Sequence, residues 1–312
     1  MQKRSKRVVI WIGAGVVGIL VLAGIALQIA IWNNGAAVLD KIDRLTGGPR
    51  DTQLVERASY GSSPKQYLTV YASDIASEEP LPVILFMHGG SWRSGDPKDY
   101  GFIARAFAPE GFVVVLAGYR LHPEAVYPEM LRDTAEAIAW TQENIAEHGG
   151  DPSRITVSGH SAGAYNVVMA ALEERWLREA GGQPDGIVGV VGLAGPYDFF
   201  PFDSDSTKAS FGHVETGEIT QPINHARENA PPMLLVHGEA DTLVKPRNTR
   251  ELARILEAEG AEVQTLMLAD GDHNQPLLAL ASPWRRNPIV HQAFVNFARS
   301  QKASVPVQDE MR

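Results

Sequence analysis

Six largely apolar runs, separated by helical stretches, limit what this chain can fold into more than any other feature. Strands that are apolar on both faces are typical of a mostly parallel sheet covered by helices, because a half-exposed strand would alternate. The sequence therefore predicts an α/β domain. The apolar runs cover residues 83–87, 112–117, 155–157, 187–194, 233–237 and 263–268. The helical stretches cover residues 100–108, 129–148, 162–178, 246–259 and 288–300.

Upstream of these runs, residues 54–60 and 66–72 alternate between apolar and polar side chains, which indicates an antiparallel strand pair. With 312 residues and 44% apolar content, the chain can form one α/β domain of about 250 residues plus an appendage. We expect this domain over residues 54–300. A linker with a short helix is expected over 33–53, and a disordered tail over 301–312.

The composition excludes several kinds of site. The net charge is −9 even though four cations lie among residues 3–7, and such an acidic body argues against nucleic acid as a partner. The chain has no cysteine, which excludes disulfides, thiolate metal sites and cysteine nucleophiles. The histidines show no spacing typical of a metal site, so no metal is expected.

Residues 8–32 form an apolar stretch in which Gln28 is the only clearly polar side chain. As a helix they would extend about 37 Å, enough to cross the roughly 30 Å hydrocarbon core of a bilayer with some tilt. Cations precede the stretch and mixed charges follow it, which predicts a cytoplasmic N-terminus. We expect residues 1–32 to be a basic segment and a single transmembrane anchor in the lipid bilayer, with the remainder of the chain outside the cytoplasm.

Two alternatives compete with an anchor. One is a signal peptide cleaved near residues 35–37, which would release a secreted or periplasmic protein. The other is a dinucleotide-binding turn, because residues 13–18 match G-x-G-x-x-G. That fingerprint requires an amphipathic helix and then a second strand, whereas this stretch is apolar on every face through Ile31. The anchor is the favoured interpretation.

Ser161 lies at the centre of the pentapeptide 159–163, between an apolar run and a helical stretch. A serine on a sharp strand-to-helix turn exposes its hydroxyl at the edge of the sheet, and the flanking glycines allow the tight backbone. A second glycine-containing loop follows the run that ends at Met87. There, the N–H of Gly89 or Gly90 is expected to form an oxyanion hole with the N–H of Ala162.

An acid and a base follow the last two apolar runs. Asp241 comes after the run that ends at His237, and His273 comes after the next run. Because the carboxyl ends of parallel strands meet at one edge, His273 can take a proton from Ser161 while Asp241 orients the imidazole. Two other acids remain open as alternatives to Asp241. They are Glu239, in the same loop, and Asp198, after the run 187–194.

These motifs in this order resemble the α/β-hydrolase superfamily over roughly residues 54–300. Within it, the chain is similar to the carboxylesterases and arylformamidases related to the hormone-sensitive lipase group. The similarity implies the α/β-hydrolase fold, Ser161 as nucleophile, Asp241 and His273 as the rest of a triad, and an oxyanion hole after His88. The motifs are 88–92 (His-Gly-Gly-Ser-Trp), 118–121 (Gly-Tyr-Arg-Leu), Pro128 with Asp133, and 159–163 (Gly-His-Ser-Ala-Gly).

The chain also departs from the lipase pattern, which has Asp before the serine and a third glycine after His-Gly-Gly. Here those positions are His160 and Ser91, which favours the formamidase and feruloyl-esterase-like branch. The large N-terminal cap of the lipases is missing. The insertion 199–230 is rich in Phe and Pro, and we expect either a small lid over an acyl or aryl pocket or an ordered surface loop.

The expected activity is hydrolysis of a small-molecule carboxylic ester through an acyl-enzyme intermediate, with no cofactor. Trp92 and His160, which lie within these motifs, and Tyr197, which follows the run 187–194, are expected to contact the substrate. Amide or N-formyl hydrolysis at the same triad is the first alternative. A tethered protein that binds without catalysis is the second.

Overall fold

The computed structural model of the protein describes residues 2–47, 51–74, 77 and 79–302, and only the backbone of residues 2–20 and 32. Most of the predicted tail lies outside the described residues. Within them, eight strands form one sheet in the order β1-β2-β4-β3-β5-β6-β7-β8. The strands are β1 (Thr52–Ser59), β2 (Tyr67–Ser73), β3 (Leu81–Met87), β4 (Val113–Ala117), β5 (Gly150–His160), β6 (Ile187–Leu193), β7 (Met233–Gly238) and β8 (Val263–Leu268).

The strand directions agree with the sequence patterns. β2 pairs antiparallel with both β1 and β4, whereas β3 to β8 are joined by parallel pairings. The predicted α/β class with a mostly parallel sheet is confirmed. Met87 at the end of β3 pairs with Ala117 and with Gly159, so the carboxyl ends of three strands lie level. Residues that follow these strands therefore meet at one edge of the sheet.

Helices cover both faces of the sheet. One core lies between the sheet and α3, α4 and α7, and the other lies between the sheet and α2, α9 and the end of α1. Alternate residues of β3 belong to opposite cores, with Leu85 in the first and Phe86 in the second, which explains its unbroken apolar run. The helices of the described residues are α1 (Gln2–Leu45), α2 (Gly101–Phe107), α3 (Glu129–Asn144), α4 (Ala162–Leu172), α5 (Arg175–Glu179), α6 (Asp205–Phe211), α7 (Arg247–Ala258), α8 (Gln275–Leu278) and α9 (Ile289–Ser300).

Two elements differ from the sequence expectation. The stretch 162–178, predicted as one helix, ends at Leu172 and resumes as α5, because Glu173 has a non-helical backbone (φ −108°, ψ 83°). The insertion 199–230 contains α6, which the sequence did not predict. This helix starts with a capping box in which the Ser204 side chain accepts from the Thr207 N–H, a local signal too short to stand out by periodicity.

The end of α1 is part of the folded domain rather than a linker. Leu39 and Asp43 are buried against the second core. Arg105 of α2 donates from Nε to Asp43 Oδ2 and from Nη2 to Asp40 Oδ1, both at 2.6 Å. The predicted short helix is present, but these contacts hold it in place. Charged side chains that are nearly buried need short, hydrogen-bonded ion pairs such as these, because burying either charge without a partner is costly.

Before this docked segment, α1 is broken at Asn34, which has a non-helical backbone (φ −158°, ψ 83°). Among the described side chains, no single helix is long and apolar enough to cross a membrane. The pair Val21–Ile31 and Asn33–Leu45 passes that test only together, with a bend of 111° between them. Most of the predicted anchor 8–32 has no described side chains, so the anchor stays a prediction. Residues 13–18 are helical, whereas a dinucleotide fingerprint requires a strand before the glycines, so that alternative is wrong.

Candidate active site

Ser161 occupies the sharp turn between β5 and α4. Its φ of 54° and ψ of −119° lie in a region that side-chain-bearing residues rarely adopt, and its N–H donates to Leu193 O at 2.8 Å. Two close approaches explain the flanking glycines. A Cβ on Gly159 would lie 2.4 Å from the carbonyl carbon of Gly163, and one on Gly163 would lie 2.2 Å from Met87 O. The turn therefore needs glycine on both sides of the serine.

His273 joins the other two predicted residues. Its Nε2 lies 2.9 Å from Ser161 Oγ, and its Nδ1 lies 2.7 Å from Asp241 Oδ2. All three residues are at least nine-tenths buried. The structure thus brings together, across 112 residues of chain, the three side chains singled out in the sequence. With Nδ1–H donating to the carboxylate, Nε2 is free to accept the serine proton.

The two acids considered as alternatives to Asp241 form ion pairs with other residues. Asp198 is paired with Arg247, and Glu239 is paired with Arg250, both on the surface. Neither makes a contact with His273. The alternative assignments of the acid are therefore wrong. Chain order alone could not separate the three carboxylates, because all of them follow a strand at the same edge of the sheet.

Every group that contacts the Asp241 carboxylate is a donor. Oδ1 accepts from the N–H groups of Leu243 at 2.8 Å and Val244 at 2.9 Å. Oδ2 accepts from His273 and from His237. Burial by itself would raise the pKa of Asp241, but the hydrogen bonds from His237 and His273 outweigh it and hold the pKa well below its usual range. The carboxylate is therefore ionised at neutral pH.

His237 is a residue of this site that the sequence reasoning missed. Its Nε2 lies 3.1 Å from Asp241 Oδ2 and 2.9 Å from Val244 O, and its Nδ1 lies 2.8 Å from Thr249 Oγ1. Because both neighbours of Nε2 are acceptors, Nε2 carries the hydrogen, and in the neutral ring Nδ1 accepts from the threonine hydroxyl. His237 ends an apolar strand, and nothing in the sequence distinguishes it from a core residue.

The loop after β3 lies directly against the serine. A Cβ on Gly89 would be 3.3 Å from Ser161 Cβ and 2.9 Å from His160 O. Gly90 has a φ of +121°, and a Cβ there would lie 2.1 Å from Ser94 O. Ala162 begins α4, and the first N–H groups of a helix have no carbonyl partner within it. The two backbone segments predicted to supply an oxyanion hole, the loop with Gly89 and Gly90 and the start of α4 at Ala162, thus adjoin Ser161, and their role stays a prediction.

A cavity of about 310 Å³ opens beside Ser161 and Ala162. The first part of the insertion 199–230 forms one wall of this cavity, in agreement with the prediction that the insertion lines a pocket. Phe211 of the same insertion is fully buried and does not line the cavity. A volume of this size suits a small organic group rather than a polymer. The apolar lining consists of Trp92, Pro196, Phe199, Phe200, Pro201, Leu243 and Val244.

Of the three predicted substrate contacts, the cavity wall includes Trp92 alone, held by a hydrogen bond from Nε1 to Asn166 Oδ1 at 3.0 Å. His160 and Tyr197 do not line the cavity, so those two predictions are corrected. The His160 ring is buried and donates from Nε2 to the carbonyl of His273 at 3.0 Å, which supports the loop that carries the base. Tyr197 is fully buried, and its N–H donates to Asn248 Oδ1 at 2.8 Å.

Two buried histidines make the stability of the protein sensitive to mild acid. Burial lowers the pKa of His88 to about 4, and burial together with His273 lowers that of His160 to about 3. In the unfolded chain both rings bind a proton below about pH 6.5. Below that pH the folded state therefore binds fewer protons than the unfolded state, and the free energy of unfolding decreases as the pH falls.

From pH 7 to pH 5, we expect the two rings together to lower the free energy of unfolding by roughly 3–4 kcal/mol. Denaturant unfolding at the two pH values measures this loss. The variant His88→Gln removes one of the rings and should show about half of the pH dependence. An unchanged dependence in that variant would contradict the assignment.

The sheet order, the serine turn after β5, and the acid and histidine after β7 and β8 define an α/β hydrolase. Residues 68–256, more than half of the chain, match the model of the BD-FAE family. The chain belongs to the BD-FAE family of α/β hydrolases. Among the described residues, no group of three His, Asp or Glu side chains is arranged to hold a metal ion.

Named relatives are esterases. Esterase LipC of Mycobacterium tuberculosis (strain ATCC 25618 / H37Rv) is 30% identical over 269 residues, which cover 79% of this chain and 66% of LipC. Carboxylesterase NlhH of Mycobacterium tuberculosis (strain CDC 1551 / Oshkosh) is 45% identical over 106 residues, which cover 33% of this chain and 32% of NlhH. The chain thus spans no more than about two thirds of the length of these relatives.

Solved structures of esterases share the fold. Esterase B from Lactobacillus rhamnosis (HN001) superposes with a TM-score of 0.72 at 18% identity, covering 88% of this chain and 95% of that one. A thermostable esterase from Pseudomonas putida ECU1011 gives a TM-score of 0.67 at 22% identity, covering 85% and 88%. At such identities the likeness extends to the fold alone.

Proposed function

We propose that the protein is a serine hydrolase that cleaves carboxylic esters through an acyl-enzyme intermediate. The observation that carries the proposal is the position of the His273 ring, within hydrogen-bond distance of both Ser161 Oγ and Asp241 Oδ2. The esterase names of the relatives support the same chemistry. The cavity beside the serine has the size and the apolar lining that an acyl or aryl group requires.

In the first half of the reaction, His273 Nε2 takes the proton of Ser161 Oγ as that oxygen attacks the ester carbon. The oxyanion that forms accepts hydrogen bonds from backbone N–H groups of Ala162 and of the loop with Gly89 and Gly90. His273 then gives its proton to the departing alcohol. In the second half, water replaces the alcohol, and the same transfers release the carboxylic acid and restore the serine.

A pair of substrates tests this proposal against amide chemistry. We expect wild-type protein to hydrolyse p-nitrophenyl butyrate much faster than N-formylkynurenine, and a fluorophosphonate probe to label Ser161. Formamide turnover far above ester turnover would replace the proposal with an N-formyl hydrolase. If the protein shows no turnover of either substrate and no labelling, a tethered binding protein is the better account.

We also propose that residues 8–32 anchor the protein in a lipid bilayer, with the catalytic domain outside the cytoplasm. The length and apolar character of the stretch, and the cations before it, support this. Fractionation of cells after fluorophosphonate labelling tests it. We expect the labelled protein in the membrane fraction, extracted by detergent but not by high salt. Recovery of the label in the soluble fraction would favour a cleaved signal peptide.

His237→Leu should lower kcat by roughly 10–100-fold, because leucine has no donor and the Asp241 carboxylate loses one of its hydrogen bonds. KM should change little, since His237 does not line the cavity. The matched control is His291→Leu, in which a ring that donates to Ala106 O far from the site is removed. Steady-state kinetics on p-nitrophenyl butyrate measures both variants. A wild-type kcat in His237→Leu would show that His237 does not support catalysis.

A further inference from the structure

Four consecutive backbone N–H groups in the wall of the cavity are held by two side-chain amides. Residues 197–200, here called the wall segment, form neither helix nor strand, so their N–H groups need partners from outside the segment. Asn248 Oδ1 accepts from the first two of these groups, at 2.8 and 2.7 Å. Gln221 Oε1 accepts from the last two, at 2.6 and 3.1 Å. Each amide oxygen thus uses both of its lone pairs on the wall segment.

Both amides are buried, and both are connected to elements that carry the catalytic residues. Gln221 and Asn248 have only 2% and 4% of their surfaces exposed. Gln221 Nε2 donates to Thr220 Oγ1 at 2.6 Å, and the carbonyl of Thr220 accepts from the Tyr165 hydroxyl of α4 at 2.9 Å. Asn248 belongs to α7, and its Nδ2 donates at 3.0 Å to the carbonyl of Lys245, in the loop that also carries the acid. The wall segment is therefore fixed relative to both the serine turn and the acid.

The aromatic ring of Phe199 has no room to retreat from the cavity. It packs edge-on against Phe211 and Tyr165, with ring centroids 5.2 and 5.6 Å apart, and both of those rings are fully buried. The ring of Phe200 rests on Gly217, where a Cβ would lie 2.3 Å from a ring carbon. Phe199 can therefore move away from the cavity only together with its backbone, which a buried amide holds.

A wall that stays in place limits the size of the group that fits beside Ser161. The cavity of about 310 Å³ lies at the lower end of the roughly 300–1,000 Å³ typical of ligand sites. A longer hydrocarbon chain has to displace Phe199 and the rings behind it, and a close-packed aromatic cluster resists such displacement. These contacts favour a fixed wall over a lid that opens.

We propose that Gln221 and Asn248 are positioning residues that hold the wall segment in place and thereby set the upper limit on the acyl group that the protein accepts. This inference rests on the proposed esterase activity, with the acyl group in the cavity. Acyl groups that fit reach Ser161 without displacing the wall, whereas long linear chains press on Phe199. The substrates are therefore esters of short carboxylic acids.

The variant Gln221→Met tests the proposal, because it keeps the length of the side chain but removes the acceptor oxygen. The N–H groups of Phe199 and Phe200 then lose their partner, and the wall loosens. We expect the wild-type kcat/KM to favour p-nitrophenyl butyrate over the decanoate by roughly tenfold or more. The variant should lose about fivefold of that preference, while its kcat on p-nitrophenyl acetate stays within about threefold of wild type. An unchanged preference would overturn the inference alone, whereas a wild type inactive on all three esters would reject the esterase activity.

Two control variants separate the hydrogen bonds from packing and from general stability. Gln221→Glu keeps an acceptor oxygen in either protonation state of the carboxyl group, so its preference should match that of wild type. The same loss of preference in Gln221→Glu and Gln221→Met would assign the effect to packing and overturn the proposal. In Gln142→Met, an amide that accepts from the Gln183 N–H at 2.8 Å outside the cavity lining is removed, and the preference should not change.

Hydrogen exchange gives a measurement that does not depend on activity. In full-length Gln221→Met, a peptide covering residues 197–203 should exchange its amide hydrogens about tenfold faster than in wild type, because two of them have lost their acceptor. Equal exchange in the two proteins would contradict the role of Gln221. If Gln221→Met does not fold, Phe199→Ala removes the ring from the wall directly, and an unchanged preference for butyrate in that variant would overturn the proposal.

Discussion

Ser161→Gly is expected to lower kcat for ester hydrolysis by roughly 10⁶-fold while making the protein more stable. The activity is lost because glycine has no nucleophile. The stability rises because the backbone of Ser161, at φ 54° and ψ −119°, suits glycine far better than serine. Relief of that strain is worth about 1–3 kcal/mol, and the greater freedom of glycine in the unfolded chain offsets about 0.4–1 kcal/mol of it. Denaturant unfolding and turnover of p-nitrophenyl butyrate measure the two effects.

Two further serine variants separate strain from chemistry. Ser161→Ala should be as inactive as the glycine variant but without the gain in stability, because alanine keeps the unfavourable φ. Ser158→Ala, three residues earlier in β5, removes a buried hydrogen bond to Val191 O and should lose about 1 kcal/mol of stability with activity within twofold. Ester turnover above 1% of wild type in Ser161→Gly would contradict the proposed mechanism.

Asp241→Asn is expected to lower kcat by about 10⁴-fold, although the two side chains have nearly the same shape. All four groups that contact the carboxylate are donors, two backbone N–H groups on Oδ1 and two ring N–H groups on Oδ2. The asparagine oxygen can serve only one side. When it faces the backbone, the NH₂ faces His273, whose Nδ1 must then accept, so Nε2 carries the hydrogen and cannot take the serine proton.

The same reasoning predicts that Asp241→Asn also lowers the free energy of unfolding, because buried donors on one side lose their acceptor. Glu239→Gln is the matched control, since this carboxylate lies two residues earlier and pairs with Arg250 on the surface. We expect its kcat to stay within twofold of wild type. Steady-state kinetics on p-nitrophenyl butyrate compares the two variants, and a loss of less than tenfold in Asp241→Asn would show that the carboxylate does not orient the base.

Much of the fold follows from the sequence because buried parallel strands have a strong local signature. The runs at 83–87, 233–237 and 263–268 agree with β3, β7 and β8 to within two residues at either end. β3 and most of β7 are apolar because both of their faces are covered, whereas β8 lies at the edge of the sheet and exposes Gln264 and Thr265. Short helices such as α6 and α8 lack this signature. They hold a few residues each, and their positions depend on the core against which they pack.

The site was only partly predictable for a similar reason. Ser161 and its flanking glycines can be recognised from the local sequence, because the sharp turn requires those residue types. The histidine and the acid are separated from the serine by long stretches of chain, and their order after successive strands indicated that they would meet. Which of three carboxylates would reach His273, and that His237 would contact the same carboxylate, depended on distances between loops that no local pattern encodes.

The sequence by itself determined the α/β class, the strand-borne serine, and the acid and base candidates, because each depends on the periodicity of neighbouring residues or on the order of strands along the chain. Only the tertiary structure decided that Asp241 rather than Asp198 accepts from His273, that His160 and Tyr197 do not line the cavity, and that the end of α1 is docked against α2. Those outcomes arise from packing between segments far apart in the chain, where free energy depends on three-dimensional contacts rather than on local pattern.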